Sequence, residues 1–269
     1  MAADILQQIV ARKQERLDTL QRVTPFATLC RHLDAELPER RPWPLASDRF
    51  DVIAEIKRAS PSLGPINWQH TLPELARQYE LGGAGAVSVL TEEDFFCGSL
   101  ADLAQVRQET GLPVLRKDFL WTEYQLVESR LAGADAVLLI VALLDQKILN
   151  RLIKFAAELE LETLVECRDR QEIERAIQAG ARTLGINNRN LRTFAVSLET
   201  TLELLPTVPR DSVVISESGI KIPADAGRLA AAGANGVLVG ESCVRQAEPS
   251  KHVAGLLEQG RKQYRQRSS

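Results

Sequence analysis

Three patterns that would place a protein at a membrane, outside the cell or on nucleic acid are missing from this sequence. None of its apolar runs approaches the ~20 residues that a membrane-spanning helix needs. The first residues lack the charged start and the apolar core of a signal peptide. With a net charge of −3, the chain offers no basic surface for nucleic acid. We therefore expect a cytoplasmic protein that binds neither membranes nor nucleic acids.

Cysteine is also scarce, and its spacing excludes further classes. The four cysteines are scattered along the chain and form no C-x-x-C pair. This spacing argues against a zinc site and against a disulfide framework. We expect reduced thiols, as is usual in the cytoplasm, and no bound metal.

The first 46 residues differ in pattern from the rest of the chain. Apolar residues recur at helical spacing over residues 4–22, and a second short helical stretch is expected around residues 26–36. Residues 37–44 contain three prolines, each of which removes a backbone donor, so they can form neither a helix nor a central strand. We predict that residues 1–46 are a helical extension of the same domain, docked on a main body of residues 47–269.

From residue 51 onward the chain repeats one pattern, in which a glycine ends a helix and a β-branched strand follows almost at once. The repeated glycines are 50, 47 and 53 residues apart, and four further strands are expected at residues 51–57, 112–117, 161–166 and 212–217. Eight strands that alternate with helices predict a closed, parallel (β/α)8 TIM barrel with right-handed crossovers. An open doubly wound sheet is the alternative, but it would want a G-x-G-x-x-G turn after an early strand, and none is present.

Polar residues gather where seven of the eight predicted strands end. In a (β/α)8 barrel the chemistry takes place at these ends, on the C-terminal face. Glu55 and Lys57 at the first strand point to the same side, because side chains alternate along a strand. The later strand ends carry Lys117, Glu166, Asn187, Glu217-Ser218-Gly219 and Gly240-Glu241-Ser242. Ion pairs that stabilise the barrel would explain one or two such ends, whereas seven indicate a site.

Two features suggest what the site binds. Small residues at Ser218, Gly219 and Gly240 leave the backbone N–H groups of the last two loops, with a short following helix, free to hold a phosphate. A glycine that merely caps a strand is the alternative, but two of them on neighbouring strands favour phosphate. Phe96 and Phe119 either line an apolar slot for an aromatic ring or simply pack.

The acid and base of such a site are predicted to be lysine and glutamate. None of the three histidines lies at a predicted strand end. No histidine base, catalytic triad or H-E-x-x-H metal site is therefore available. Proton transfer falls to Lys57, Lys117, Glu55 and Glu166, because burial and crowding of charges in a barrel mouth shift their pKa values.

These motifs, taken together and in order, resemble those of the indole-3-glycerol phosphate synthases. The resemblance runs over nearly the whole chain, including the helical extension. The motifs are Glu55-Ile-Lys57-Arg-Ala-Ser60-Pro-Ser62, Leu90-Thr-Glu-Glu-Asp-Phe-Phe96-x-Gly-Ser99, Leu115-Arg-Lys117-Asp-Phe119, Leu164-Val-Glu166, Gly185-Ile-Asn187-Asn-Arg189-Asn-Leu191 and Ser216-Glu-Ser218-Gly-Ile220.

The resemblance implies a carboxy-lyase of tryptophan biosynthesis. Its substrate would be 1-(2-carboxyphenylamino)-1-deoxyribulose 5-phosphate, whose indole ring it would close with loss of CO2 and water. No metal or organic cofactor is implied, because rearomatisation drives the decarboxylation. We expect a monomer that binds this small phosphorylated, anthranilate-derived molecule.

The resemblance also implies a role for each residue. Lys117 would be the acid that protonates the ketone oxygen. Lys57 would contact the anthranilate carboxylate, held by Glu55, while Glu166 and Asn187 would handle the hydroxyl that leaves. The phosphate and the ribulose chain would be held by Ser60, Arg189, Ser218, Gly219, Gly240 and Glu241, with Ser218 also counted among the catalytic residues. The apolar wall would be formed by Phe96, Phe119, Leu191 and Leu238.

Two other functions stay open at this point. A barrel lysine can attack a ketone, so a Schiff-base lyase that acts on a sugar phosphate is one alternative. A non-catalytic barrel that binds a phosphometabolite and regulates a partner is the other. Such a barrel is expected to have lost a charge at one of the strand ends, and this sequence has lost none.

Overall fold

Eight parallel strands close into a barrel at the centre of the chain. The structure is a computed structural model that describes residues 5–34, 37–61, 64–66, 69–190 and 193–267. Each barrel strand pairs with the strands before and after it, and the last pairs with the first. The strands are β1 (Asp51–Ile56), β2 (Ala86–Leu90), β3 (Val114–Lys117), β4 (Ala136–Ile140), β5 (Glu162–Cys167), β6 (Thr183–Asn187), β7 (Val213–Glu217) and β8 (Gly236–Val239). The predicted (β/α)8 barrel is confirmed, and the open sheet is excluded.

Helices surround the barrel and precede it. They are α1 (Ile5–Val23), α2 (Phe26–Arg31), α3 (Leu72–Leu81), α4 (Leu100–Glu109), α5 (Glu123–Leu131), α6 (Gln146–Glu158), α7 (Arg170–Gln178), α8 (Glu199–Leu204), α9 (Pro223–Ala232), α10 (Glu241–Val244) and α11 (Pro249–Arg267). Short 3-10 turns occupy His32–Asp34, Val141–Leu143 and Leu205–Thr207. Within the described ranges, no helix is both long and apolar enough to cross a bilayer.

Local sequence signals explain where the barrel helices begin and end. Thr71 and Thr122 cap α3 and α5 in reciprocal capping boxes, and Ser99 caps α4 through the backbone N–H of Asp102. The glycine of each repeat has a positive φ, from 80° at Gly83 to 119° at Gly233. An L-residue rarely adopts this conformation, so the repeated glycines mark the point where a helix ends and the next strand begins.

The barrel interior is layered by the alternation of side chains along each strand. The lower layer of the interior is apolar. The odd-numbered strands contribute Ile53, Leu115, Leu164 and Ile215 to it. Two residues further on, the same strands carry Glu55, Lys117, Glu166 and Glu217. In a (β/α)8 barrel one layer takes its four side chains from alternate strands. All four side chains of this upper layer are therefore ionisable.

The extension before the barrel folds as two helices and an irregular segment. The helix predicted over residues 4–22 is observed as α1, and the second is shorter than expected, ending at Arg31 before the 3-10 turn. Residues 37–44 form neither helix nor strand, as their prolines predict. The side chains of Ile9, Lys13 and Leu17, one turn apart on α1, are buried. A two-residue antiparallel pair, Ala59–Ser60 with Gly64–Pro65, follows β1 and was not predicted.

Candidate active site

A cavity of about 720 Å³ opens at the C-terminal ends of the barrel strands. This volume lies within the range of roughly 300–1,000 Å³ that is usual for small-molecule sites. Leu191 lies outside the described residues, and every other residue predicted to belong to the site lines this cavity. They are Glu55, Lys57, Ser60, Phe96, Lys117, Phe119, Glu166, Asn187, Arg189, Ser218, Gly219, Leu238, Gly240 and Glu241. The roles given to these residues stay predictions.

Lys117 lies among carboxylates at the centre of the cavity. Its Nζ is 3.3 Å from Glu217 Oε2 and 3.5 Å from Glu166 Oε2. Burial lowers the pKa of Lys117, but the charges of Glu217, Glu166 and Glu55 outweigh burial and raise it. Lys117 is therefore an ammonium at neutral pH, held in a dry setting where its charge acts strongly on a bound ligand.

Glu217, which the sequence places at a strand end but to which we assigned no role, is central to the site. Its side chain is only 2% exposed, and its Oε2 lies 3.3 Å from the Lys117 ammonium. Burial, reinforced by Glu166 and Glu55, raises the pKa of Glu217 to about 8 despite the opposing charge of Lys117. A side chain on Gly185 would place its Cβ 2.1 Å from Glu217 Oε1, so glycine there makes room for the carboxylate. The sequence did contain a signal for Glu217. It lies two residues after an inward-facing apolar strand residue, as Glu55, Lys117 and Glu166 do.

Glu55 and Lys57 form a second charged pair beside the first. Lys57 Nζ lies 2.7 Å from Glu55 Oε1. Burial raises the pKa of Glu55, but Lys57, Lys117 and Arg189 together lower it, so the carboxylate is ionised. A Cβ on Gly240 would lie 2.3 Å from Glu55 Oε1 and 3.0 Å from Lys57 Nζ. Gly240 is thus required for this pair whether or not it also contacts a phosphate.

The loop after β7 has a backbone suited to an anion. Ser218 and Gly219 have successive positive φ angles of 67° and 86°. A positive φ is strained for serine, and such strain is often found at binding sites. The Asn188 amide holds the loop by donating a hydrogen bond of 3.0 Å to the Ser218 carbonyl. A Cβ on Gly219 would lie 2.6 Å from Val196 Cγ1, so the loop packs too closely for a larger residue.

In the loop after β8, only backbone N–H groups are suited to contact an anion. The Glu241 carboxylate forms an ion pair with Arg245, Oε1 to Nε at 3.3 Å. A carboxylate repels a phosphate, so Glu241 can favour one only through its main-chain N–H. Arg189 also lines the cavity, and its backbone N–H donates a 3.0 Å hydrogen bond to Asn187 Oδ1.

The opposite side of the cavity is apolar and aromatic. The rings of Phe96 and Phe119 face each other with centroids 6.2 Å apart and a tilt of 39°, a spacing typical of interacting aromatic pairs. Three α1 residues that the sequence interpretation did not assign to the site, Ile5, Leu6 and Ile9, also line this side. The cavity therefore has a floor of ionisable side chains, a side formed by the loops after β7 and β8, and an apolar side.

Among the described residues, no group of three or more histidine, cysteine, aspartate or glutamate side chains is arranged to hold a metal ion.

Fold and site together define a class: a (β/α)8-barrel protein with lysine and glutamate side chains gathered in a cavity at the C-terminal ends of its strands. The sequence model of one family, "Indole-3-glycerol phosphate synthase", matches residues 4–256. The chain belongs to the indole-3-glycerol phosphate synthase family. It is a carboxy-lyase of tryptophan biosynthesis.

Curated relatives support this assignment over nearly their full length. Indole-3-glycerol phosphate synthase of Burkholderia multivorans is 44% identical over 262 residues, covering 95% of this chain and 99% of the relative. That of Carboxydothermus hydrogenoformans is 42% identical, covering 94% and 99%. That of Desulfotalea psychrophila is 44% identical, covering 94% and 98%.

Solved structures with low sequence identity share the fold. Thiamine phosphate pyrophosphorylase from Pyrococcus furiosus superposes with a TM-score of 0.60 at 16% identity, covering 81% of this chain and 97% of that protein. 3-Hexulose-6-phosphate synthase from Salmonella typhimurium gives 0.61 at 17% identity, covering 79% and 99%. At such identities the likeness concerns the barrel alone.

Proposed function

We propose that the cluster of Lys117, Glu166 and Glu217 carries out the reaction of this family. In that reaction the indole ring of 1-(2-carboxyphenylamino)-1-deoxyribulose 5-phosphate closes, with loss of CO2 and water, to give indole-3-glycerol phosphate. The observation that carries the proposal is a largely buried ammonium with carboxylate oxygens 3.3 and 3.5 Å away, at the floor of a cavity of about 720 Å³.

Lys117 acts in ring closure. The ring carbon that bears the carboxylate attacks the ketone carbon, and negative charge develops on the ketone oxygen. The Lys117 ammonium stabilises this charge and transfers a proton to the oxygen, which becomes a hydroxyl. The carboxylate then leaves as CO2, and its bonding electrons restore the aromatic ring. The surrounding carboxylates favour return of a proton to Lys117.

Glu166 acts in the dehydration that follows, with Asn187 beside it. The hydroxyl accepts a proton from an acid of the cluster and leaves as water, and the proton lost from the adjacent carbon returns to the cluster as the second ring becomes aromatic. Glu166 lies on the neighbouring odd-numbered strand, within 3.5 Å of the Lys117 ammonium, so the two groups can serve successive proton transfers on one substrate. Asn187 and the Ser218 hydroxyl orient the departing group.

Lys57 binds the substrate carboxylate before it leaves. Its ammonium pairs with Glu55, which fixes its position beside Gly240. Phe96, Phe119 and Leu238 hold the aromatic ring, and Leu191 is assigned to the same wall. The carboxylate thus reaches the charged floor while its ring stays in an apolar slot.

The phosphate of the substrate lies against the last two barrel loops. Its contacts are Ser60, the Arg189 side chain and main-chain N–H groups at Gly219, Gly240 and Glu241. The positive φ angles at Ser218 and Gly219 and the close packing of Gly219 against Val196 support this placement.

Two alternatives are less consistent with the site. A Schiff-base lyase needs a neutral lysine, whereas the charges of Glu217, Glu166 and Glu55 raise the pKa of Lys117 and keep it protonated. A non-catalytic binding barrel has no need for a layer of four ionisable side chains, whose burial destabilises the fold. We further propose that the enzyme works in the cytoplasm as a monomer.

The direct test is to incubate the purified protein with 1-(2-carboxyphenylamino)-1-deoxyribulose 5-phosphate and record indole fluorescence. The proposal predicts turnover without an added metal or cofactor. Borohydride added during turnover should trap no substrate on Lys117. Absence of an indole product would refute the proposed function, and a borohydride adduct would favour the Schiff-base alternative.

A further inference from the structure

Lys13 is a buried lysine on the helix outside the barrel. It is 5% exposed and lies one turn from Ile9 and one turn from Leu17, which are 2% and 3% exposed. A charged residue in the middle of an apolar stripe destabilises the fold unless partners compensate it. The proposed reaction gives Lys13 no part, so its burial calls for another explanation.

The principal partner of Lys13 is the aspartate that follows Lys117 in the chain. Lys13 Nζ lies 2.7 Å from Asp118 Oδ1 and 2.9 Å from Oδ2. Asp118 is buried, and it also receives hydrogen bonds from Arg116 Nη2 at 3.0 Å and from Thr91 Oγ1 at 2.7 Å. Its charge is therefore compensated on every side by groups from α1, β3 and the end of β2.

A second partner of Lys13 lies in the loop after β2. Lys13 Nζ is 3.4 Å from Glu93 Oε2. The preceding residue, Glu92, is buried. Its carboxylate accepts hydrogen bonds from the backbone N–H groups of Asp94, Phe95 and Phe96, at 3.1, 2.8 and 3.0 Å. The loop is thus folded around one carboxylate and connected to α1 through the next.

These two partners adjoin the two aromatic residues of the cavity. Asp118 immediately precedes Phe119, and its Oδ1 accepts a 2.8 Å hydrogen bond from the Phe119 backbone N–H. Glu93 lies in the same tight loop as Phe96. Arg16 also joins α1 to this loop, through Asp94 at 2.7 Å, but at a more exposed site. Lys13 differs from Arg16 because it contacts both loops at once.

We propose that Lys13 is a positioning residue that fixes the distance between Phe96 and Phe119, and thereby the affinity of the site for the aromatic ring of its substrate. The inference rests on the proposed function, in which that ring occupies the slot between the two phenylalanines. It gives α1 a specific task in ring recognition, separate from phosphate binding at the far side of the cavity.

The test is Lys13→Met, which keeps the apolar length of the side chain and removes its charge. Anthranilate probes the aromatic slot and inorganic phosphate probes the far side, each as an inhibitor of turnover. In Lys13→Met the inhibition constant of anthranilate and the KM of the substrate should each rise roughly tenfold. The inhibition constant of phosphate and the kcat should each change less than about threefold. Arg12→Met is the matched control, because Arg12 lies on the same helix, is 65% exposed and pairs with the exposed Glu15.

Each outcome decides the proposal. Unchanged anthranilate inhibition in Lys13→Met would overturn it, and so would equal weakening of anthranilate and phosphate, which would indicate general damage. Breaking a buried ion pair destabilises a fold, so the thermal midpoint of each variant is recorded. If Lys13→Met does not fold, the same measurements are made on Glu93→Gln, because this substitution leaves the Lys13–Asp118 contact in place. Anthranilate inhibition should then weaken by roughly threefold with phosphate unchanged, and no change would contradict the proposal.

Failure of this inference can be told apart from failure of the proposed function. If the wild-type protein forms no indole product, the function itself is wrong. If the wild type turns over and the variants bind anthranilate as the wild type does, only the role of Lys13 is wrong.

Discussion

Replacing Glu217 by glutamine should stabilise the fold at alkaline pH and leave it nearly unchanged at acidic pH. Burial raises the pKa of this carboxyl from 4.5 to about 8. Between these two values the folded protein holds one proton more than the unfolded chain, so the free energy of unfolding falls as pH rises. Glutamine has the same shape and never ionises, so the variant escapes this loss.

The size of the effect follows from the width of the pH window. One pKa unit corresponds to about 1.4 kcal/mol, so the loss between pH 5 and pH 8 is at most about 4 kcal/mol. At about 2.1 cal/mol/K per residue, a chain of 269 residues has an unfolding entropy of about 0.56 kcal/mol/K. The difference in Tm is then at most about 7 °C. Lys117, whose pKa is raised from 10.5, is protonated in both states over this range and cancels.

The assay is thermal unfolding of wild type and Glu217→Gln at pH 5 and pH 9, followed by circular dichroism. Glu241→Gln, which removes a half-exposed carboxylate at the cavity rim, is the matched control. At pH 9 the variant should melt several degrees above the wild type. At pH 5 the two proteins should melt at the same temperature. Equal melting at both pH values, or a variant that is less stable at pH 9, would refute the argument for Glu217.

Three further predictions concern activity. Gly219→Val should raise the KM by at least about tenfold, because its Cβ would meet Val196 and distort the phosphate loop; a substrate without phosphate that binds the wild type equally well would rule the loop out. Gly185→Ala should lower the kcat by at least about tenfold, because its Cβ would displace the Glu217 carboxylate; an unchanged kcat would show that the carboxylate position is unimportant. The kcat/KM of the wild type should fall above pH values near 8, because ionised Glu217 makes Lys117 a weaker acid. That fall should be absent in Glu217→Gln, and its persistence there would assign it to another group.

The barrel could be predicted from sequence because its signals are local. A glycine that ends a helix and a β-branched run that follows are both readable within about ten residues, and their fourfold repetition excludes most other folds. The strand bounds predicted around 112–117 and 212–217 differ from the observed strands by one or two residues. The two-residue pair after β1 was missed because so short a strand has no periodicity to detect.

Parts of the candidate site could not be predicted, because they depend on how distant elements meet. Glu217 was seen at a strand end, but its depth becomes clear only when the barrel closes and Gly185 comes to lie against it. The contribution of Ile9 and Lys13 depends on how α1 docks on the loops, which helical periodicity does not specify. The buried stripe on α1 did offer one signal, namely a lysine one turn from an apolar residue on either side.

The kcat of Lys117→Ala, followed by indole fluorescence, tests the central claim most directly. Removal of a general acid that also stabilises the developing oxyanion should lower the kcat by roughly a hundredfold or more, with substrate affinity changed only a few-fold. Lys154→Ala is the control, because Lys154 is 81% exposed on the outside of the barrel and its loss should leave the kcat unchanged. A Lys117→Ala enzyme that keeps roughly a tenth or more of the wild-type kcat would contradict the assignment of Lys117 as the acid.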